Sequence, residues 1–303
     1  MIAAGIDLGG TKIETQIFDN SWRRVETARV ATPASYDELV LSVAGQVSWA
    51  AGQVGGGAIG LGAAGLVNPI TKLALASNLP VSGRPFADDV ADAAGRALTM
   101  TNDCRAFALS EAVFGAARGR SPAVGLILGT GIGGGIVVDG RLVQGPTSVG
   151  GEFGHMYAPA HLVVAHRLPV VACGCGRTGC FETLVSGRGM VRLAEALTGE
   201  AMTAPDVARL KATHAGAAQV WAVWCELAAE MLMALVCTVD PEVIVLGGGL
   251  TRIDGMVEDL QAALSRAQLP GFPVPDVVLA EGGAASGARG AAYAAWQEQV
   301  AHG

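Results

Sequence analysis

The chain has 303 residues, 51% of them apolar and only 16% charged, with 43 glycines and a net charge of −7. That length suggests about two domains, and the composition excludes a disordered chain. With no Lys/Arg cluster, the acidic balance excludes nucleic acid and anionic membranes as partners and leaves a small anionic ligand open.

The first stretch, IAAGIDLGG followed by KIETQIFD, reads as two strands around a Gly-Gly turn, closed by a second turn at Asn20-Ser21. A third strand is predicted over Arg23–Val30, a helix over Tyr36–Gly52, and a buried strand over 57–65. Asn102-Asp103 precedes a helical run, RAFALSEAVFGAARG. The pattern then restarts: 123–131 is a strand, and 133–143 is a second strand with an Asp-Gly turn. Strand, glycine turn and strand therefore occur twice, which points to two related domains. Apolar residues from Val220 to Val236 step at helical spacing, and Asp240-Pro241 ends that helix. EVIVLGGGL is a buried strand running into a glycine turn, and SGARGAAYAAWQEQVA is a C-terminal helix.

The N-terminus shows no basic segment followed by an apolar one, so no signal peptide is expected and the cytoplasm is the expected location. The uncharged stretch from Ser121 to Val138 holds six glycines, which argues against a membrane helix.

Three glycine loops follow apolar strands: DLGGTK (7–12), LGTGIGGG (128–135) and LGGGL (246–250). Glycine lets backbone N–H groups approach phosphate oxygens; Thr11 and Thr130 add hydroxyls, Lys12 adds charge, and Asp7 could hold the Mg²⁺ that accompanies ATP. Singly, each loop reads more readily as a tight hairpin turn than as a phosphate site. None matches the P-loop pattern, and the strand-turn-strand context differs from a Rossmann fingerprint.

The most specific local signal is CGCGRTGC (173–180), with His155 eighteen residues upstream. Three thiolates and an imidazole suit a tetrahedral zinc, and a full set of protein ligands makes it structural. Cys104, Cys225 and Cys237 read as small buried hydrophobes, and His161 and His166 as surface residues.

DLGGTK, NDCRAFALSE, LGTGIGGG, GGEFGHM and CGCGRTGCFE occur in that order, and together they resemble the ROK family of bacterial sugar kinases, within it the N-acetyl-D-glucosamine kinases most. The resemblance implies an α/β chain with the actin-like ATPase (RNase H-like) fold, two related domains around a central cleft. Residues 1–119 would form the first domain, with a C-terminal helix at about 289–303 packing back on it; 120–288 would form a larger domain carrying the zinc loop. It implies ATP with Mg²⁺ and a structural Zn²⁺ as cofactors, phosphorylation of N-acetylglucosamine at its 6-hydroxyl, and a homodimer. Asp103 matches the catalytic base. Asn78, Asn102, Glu152, His155 and Glu182 match sugar contacts. Gly9, Gly10, Thr11 and Lys12 match the first phosphate loop, Thr130, Gly131, Ile132, Gly133 and Gly134 the second, and Gly247, Gly248 and Gly249 the adenosine loop. His155, Cys173, Cys175 and Cys180 match the zinc ligands. The sequence makes three departures from the family pattern: Ala64, the pair Cys104-Arg105, and Gly283.

Glucokinase, fructokinase and N-acetylmannosamine kinase are the alternatives within the family, since one sugar position is discriminated by few contacts. A sugar-sensing transcriptional regulator is a remote one: such members carry a helix-turn-helix ahead of this module, and here the phosphate loop begins at Asp7.

Overall fold

A computed structural model describes residues 2–76, 78–283 and 286–302. The chain opens on a meander of β1 (Ala3–Leu8), β2 (Lys12–Phe18) and β3 (Arg24–Ala31). α1 (Tyr36–Val54), β4 (Ala58–Ala63), the short pair β5 (Leu66–Val67) and β6 (Ala74–Leu75), α2 (Phe86–Ala94), β7 (Thr99–Asn102) and α3 (Asp103–Phe114) follow. Next come β8 (Ala123–Leu128), β9 (Ile132–Val138) and β10 (Arg141–Leu142). The helices α4 (Ala160–Ala165), α5 (Glu182–Val185), α6 (Gly187–Thr198), α7 (Ala204–Leu210) and α8 (Ala215–Val239) follow them. β11 (Val243–Gly247), α9 (Met256–Ala267), β12 (Asp276–Leu279) and α10 (Ser286–His302) complete the chain.

Two five-stranded sheets carry the fold, and their strand orders correspond: β3-β2-β1-β4-β7 and β10-β9-β8-β11-β12. In the first, β1 to β3 pair antiparallel and β4 and β7 join in parallel. In the second, β8, β11 and β12 are parallel and the β9–β10 hairpin is antiparallel. The duplication seen in the sequence is thus a duplication of topology, with a glycine turn between the first two strands of each repeat. The Asp139-Gly140 turn between β9 and β10 has both residues at positive φ, as a two-residue hairpin of type I′ requires.

By its contacts the chain divides into two compact units. The first takes residues up to Arg118, Gly135–Gly150 and those from Glu281 onward; the second takes Gly119–Gly134 and Gly151–Ala280. Residues 135–150 and 281–288, which the sequence places in the second domain, group with the first. A contiguous reading misses this because the contacts are long-range. The Cα of Arg105 in α3 lies 3.0 Å from where a Cβ on Gly135 would stand, and Gln297 of α10 donates to the Gly140 carbonyl.

In the first unit, α10 lies on β1, β4 and α3 almost backbone to backbone. A Cβ on Gly60 would stand 1.9 Å from the Ala291 carbonyl oxygen, and one on Gly290 would stand 1.7 Å from that of Ala106. Close approach explains why the last helix is built from Gly and Ala. In the second unit the core is α8, whose face from Val220 through Leu235 is buried. It is long and apolar enough to cross a membrane, yet 56% of its most apolar window is covered within the protein, as in a core helix. Asp240 ends it in the left-handed conformation.

Candidate functional site

In the first unit, β1 ends at Leu8 and the turn Gly9–Thr11 leads into β2, with Gly9 N–H donating to the Lys12 carbonyl. Gly10 and Thr11 are exposed at the tip. Lys12 does not reach freely from the loop: its Nζ lies 2.8 Å from Glu14 Oε2, which also receives Arg29 Nε at 2.6 Å. Lys12 and Glu14 share a face of β2, and the buried carboxylate claims the nearest cations. Asn78 is exposed beside the turn, its Nδ2 3.7 Å from where a Cβ on Gly10 would stand.

Asp7 and Asp103 are electrostatic neighbours in this unit. Burial pushes the Asp7 carboxyl up to about 6, the Asp103 charge adds to the rise, and Lys12 opposes it. Burial also raises Asp103, against the Cys104 backbone N–H that its Oδ1 accepts at 2.8 Å. Asp103 is the first residue of α3 because Asn102 caps that helix: Asn102 Oδ1 accepts from the N–H groups of Cys104 and Arg105. Asn102 Nδ2 donates to the Gly65 carbonyl at 3.0 Å, and its second N–H has no hydrogen-bond partner among the described residues.

The departures from the family pattern find places here. Arg105 is buried and donates to the Ser148 carbonyl. With Asn102, Gly65, Gln144 and Ser148 it lines a cavity. Ala64 packs partly buried against the core, and Gly283 adopts a positive φ.

In the second unit, the expected phosphate loop is shorter than the motif. Ile132, Gly133 and Gly134 already lie in β9 and are buried, so the accessible turn is Gly129–Gly131. Gly248 and Gly249 are exposed after β11, and the Gly249 nitrogen lies 3.8 Å from where a Cβ on Gly129 would stand, so two of the three glycine loops adjoin.

The ligand atoms of His155, Cys173, Cys175 and Cys180 all lie within 4.8 Å of one another. His155 Nδ1 stands 3.6 Å from Cys173 Sγ, and Cys175 Sγ stands 3.7 Å from Cys180 Sγ. A tetrahedral zinc with ordinary bond lengths spaces its ligands by about 3.6 Å for S···N and about 3.8 Å for S···S, so this donor set fits one. Burial pushes the Cys180 thiol up to about 12, and a cation at the centre would favour its thiolate. The other ring nitrogen of His155, Nε2, lies 3.7 Å from Glu152 Oε2. Glu182 bridges two parts of this unit: Oε2 accepts the Ile132 N–H at 2.9 Å, and Oε1 is 3.9 Å from Cys173 Sγ. No motif or spacing in the sequence signals that bridge.

His161 and His166 stand apart from the sulfur set, near Glu230 at 3.7 Å and Glu226 at 2.8 Å of α8. Cys225 is buried as expected, but Cys104 is only partly so and Cys237 is exposed, because α8 turns its last residues outward before Asp240.

A family model described as "ROK family" matches residues 3–298. The chain belongs to the ROK family. It is 39% identical to an N-acetylgalactosamine kinase of Shewanella sp. (strain ANA-3), over 95% of this chain and 94% of that protein. It is 38% identical to an N-acetyl-D-glucosamine kinase of Photobacterium profundum, over 95% and 97%. Among solved structures it superposes on the ROK hexokinase of Thermus thermophilus with a TM-score of 0.87 and 34% identity, over the full length of both chains. The fold of this ROK protein is therefore the actin-like ATPase fold that the motifs imply.

Proposed function

We propose that this ATP-dependent sugar kinase transfers the γ-phosphoryl group to the 6-hydroxyl of N-acetyl-D-glucosamine, with Asp103 as the catalytic base. The observation that carries the reading is Asp103 itself, at the capped start of α3, with its pKa raised by burial and Asp7 in its field. Burial makes this carboxylate a stronger base than an exposed aspartate. The sugar oxygen attacks the γ-phosphorus, the bond to the bridging oxygen of ADP breaks, and the hydroxyl proton passes to Asp103.

The transition state is loose, so positioning and charge neutralisation carry most of the catalysis. Backbone N–H groups of Gly10, Thr11, Thr130 and Gly131 would hold phosphate oxygens, with the Gly9 and Gly129 N–H groups closing the two turns, and Gly247–Gly249 would hold the nucleoside. Asp7 would hold Mg²⁺, which neutralises phosphate charge. Asn78, the spare Asn102 N–H, Glu152, His155 and Glu182 would hold sugar hydroxyls. His155, Cys173, Cys175 and Cys180 would hold a structural zinc, which fixes the shape of that wall and leaves no coordination position open. A cytoplasmic homodimer accompanies the reading. Its support is α4, where none of six largely apolar residues is buried.

A second reading is N-acetylgalactosamine, favoured by the 39% identity to the Shewanella enzyme of that name. The two sugars differ only in the configuration at C4. A coupled ATPase assay over N-acetylglucosamine, N-acetylgalactosamine, N-acetylmannosamine, glucose, mannose and fructose decides, with NMR of the product to locate the phosphate. The proposal expects the highest kcat/KM on N-acetylglucosamine and phosphate on O6. Preference for the galacto epimer moves the assignment to the second reading, and inactivity on all six sinks both.

A further inference from the structure

We infer that Glu182 is a positioning residue for the nucleotide: it holds the second glycine loop from behind, in addition to any contact with the sugar. The inference rests on the reading that Gly129–Gly131 receives phosphate.

Glu182 opens α5 two residues after Cys180. α5 is itself fixed, because the buried indole of Trp224 in α8 donates to the Val185 carbonyl at 2.8 Å. From this anchored position Glu182 Oε2 accepts the Ile132 N–H at 2.9 Å, across fifty residues of sequence. The approach is tight: a Cβ on Gly131 would stand 2.8 Å from the same oxygen. Five residues beyond Glu182, the Gly187 N–H donates to the Gly129 carbonyl at 2.8 Å. The loop is thus pinned on both sides of its tip by one short segment, 182–187, while Thr130 stays exposed at the tip. The second carboxylate oxygen is 3.9 Å from Cys173 Sγ, so the same side chain links the loop to the sulfur set.

Electrostatics and geometry pull in opposite directions here. A carboxylate behind a phosphate loop repels the incoming anion and occupies one N–H that phosphate could have used. If charge dominated, removing Glu182 would tighten nucleotide binding. A charge-assisted bond to backbone is worth more than a neutral one, however, and an unpinned glycine loop must be ordered when ligand binds. The geometry points to pinning as the larger effect.

The test is the Kd of a non-hydrolysable ATP analogue with Mg²⁺, measured by calorimetry without sugar, for the wild type, Glu182→Gln and Glu182→Ala. A hydrogen bond to a charged group predicts about tenfold weaker binding for Glu182→Ala. Glu182→Gln keeps an acceptor for Ile132 and loses the charge, so its Kd stays within about threefold of wild type. Unchanged or tighter binding by Glu182→Ala overturns the inference, since a sugar contact alone would not move this Kd. Wild-type protein that binds no nucleotide overturns the kinase reading, and this inference with it. If Glu182→Ala does not fold, amide exchange in the unliganded wild type decides: a protected Ile132 N–H supports the pin, and rapid exchange overturns it.

Discussion

His155 turns Nδ1 to within 3.6 Å of Cys173 Sγ and leaves Nε2 3.7 Å from Glu152 Oε2. One ring thus joins the sulfur set to an acidic residue expected at the sugar. A ring held by metal at one nitrogen has its tautomer fixed at the other. Wild-type protein should contain about one zinc per chain by elemental analysis, and Cys180→Ser should contain little. Its melting temperature should fall by roughly 10 °C, because metal-binding energy is folding energy. Zinc-free wild-type protein with an unchanged melting temperature contradicts this.

Asn102 makes three internal hydrogen bonds, two as the cap of α3 and one to the Gly65 carbonyl. Asn102→Ala should therefore cost about 2 kcal/mol in urea denaturation, about half from the cap and half from the Gly65 tie. Asn102→Asp keeps the cap and loses the donor, so it should be more stable than the alanine variant. It also sets a second carboxylate beside Asp103, so its kcat should fall below that of the wild type. Equal stability of the two variants would show that the cap is not what Asn102 contributes.

Local chemistry is what the sequence carried legibly. The hairpins at β1–β2 and β9–β10, the buried face of α8 and the Cys/His set each depend on residues near one another in the chain or on one repeating period. The return of 135–150 to the first unit, the bond from Glu182 to Ile132 and the burial of Arg105 depend on contacts across 30 to 50 residues or more, to which periodicity is blind. Lys12 is intermediate. Its pairing with Glu14 follows from the two-residue repeat of a strand once both are placed on β2, but a motif reading aims Lys12 at phosphate.

Glu111 shows the same blindness. It lies in the α3 motif, fully buried, and its two oxygens accept from the N–H groups of Ala116, Glu281 and Gly282 and from the Ser286 hydroxyl. All four partners are donors, so the amide group of a glutamine would face at least one of them. Glu111→Gln should destabilise the protein by about 2–3 kcal/mol, read by denaturant midpoint at constant m-value. A loss below about 0.5 kcal/mol would mean that water or rearrangement satisfies these donors without the carboxylate.

Glu14 supplies a signed pH effect. Burial alone would raise its pKa, but hydrogen bonds from Lys12, Gln16 and Arg29 outweigh burial and hold it at about 2, below the ordinary 4.5. The folded state therefore binds this proton more weakly than the unfolded chain does. The stabilisation is fully present above pH 4.5 and is lost as pH falls toward 2. Glu14→Gln should flatten the stability curve within that window and leave its shape above pH 5 unchanged, about the upper edge of such a titration. An equally steep acid limb in the variant assigns the loss to other carboxylates.

Asp103→Asn separates catalysis from electrostatics in one protein. As the proposed base, Asp103 should account for about 10²–10⁴ in kcat, with sugar affinity retained because the amide is isosteric. Asp7 gives the second readout. Its carboxyl is raised to about 6 chiefly by burial, with Asp103 the next contributor, so neutralising Asp103 should lower the Asp7 titration without returning it to 3.8. The linkage runs opposite to that of Glu14. The folded state holds the Asp7 proton more tightly than the unfolded chain, so its contribution is present below pH 3.8 and is lost as pH rises through about 6. Carbon-detected NMR of the side-chain carboxyl follows both proteins. An Asp7 titration that does not move in Asp103→Asn would show that the two charges do not communicate, and retained kcat would remove Asp103 from the base role whatever Asp7 does.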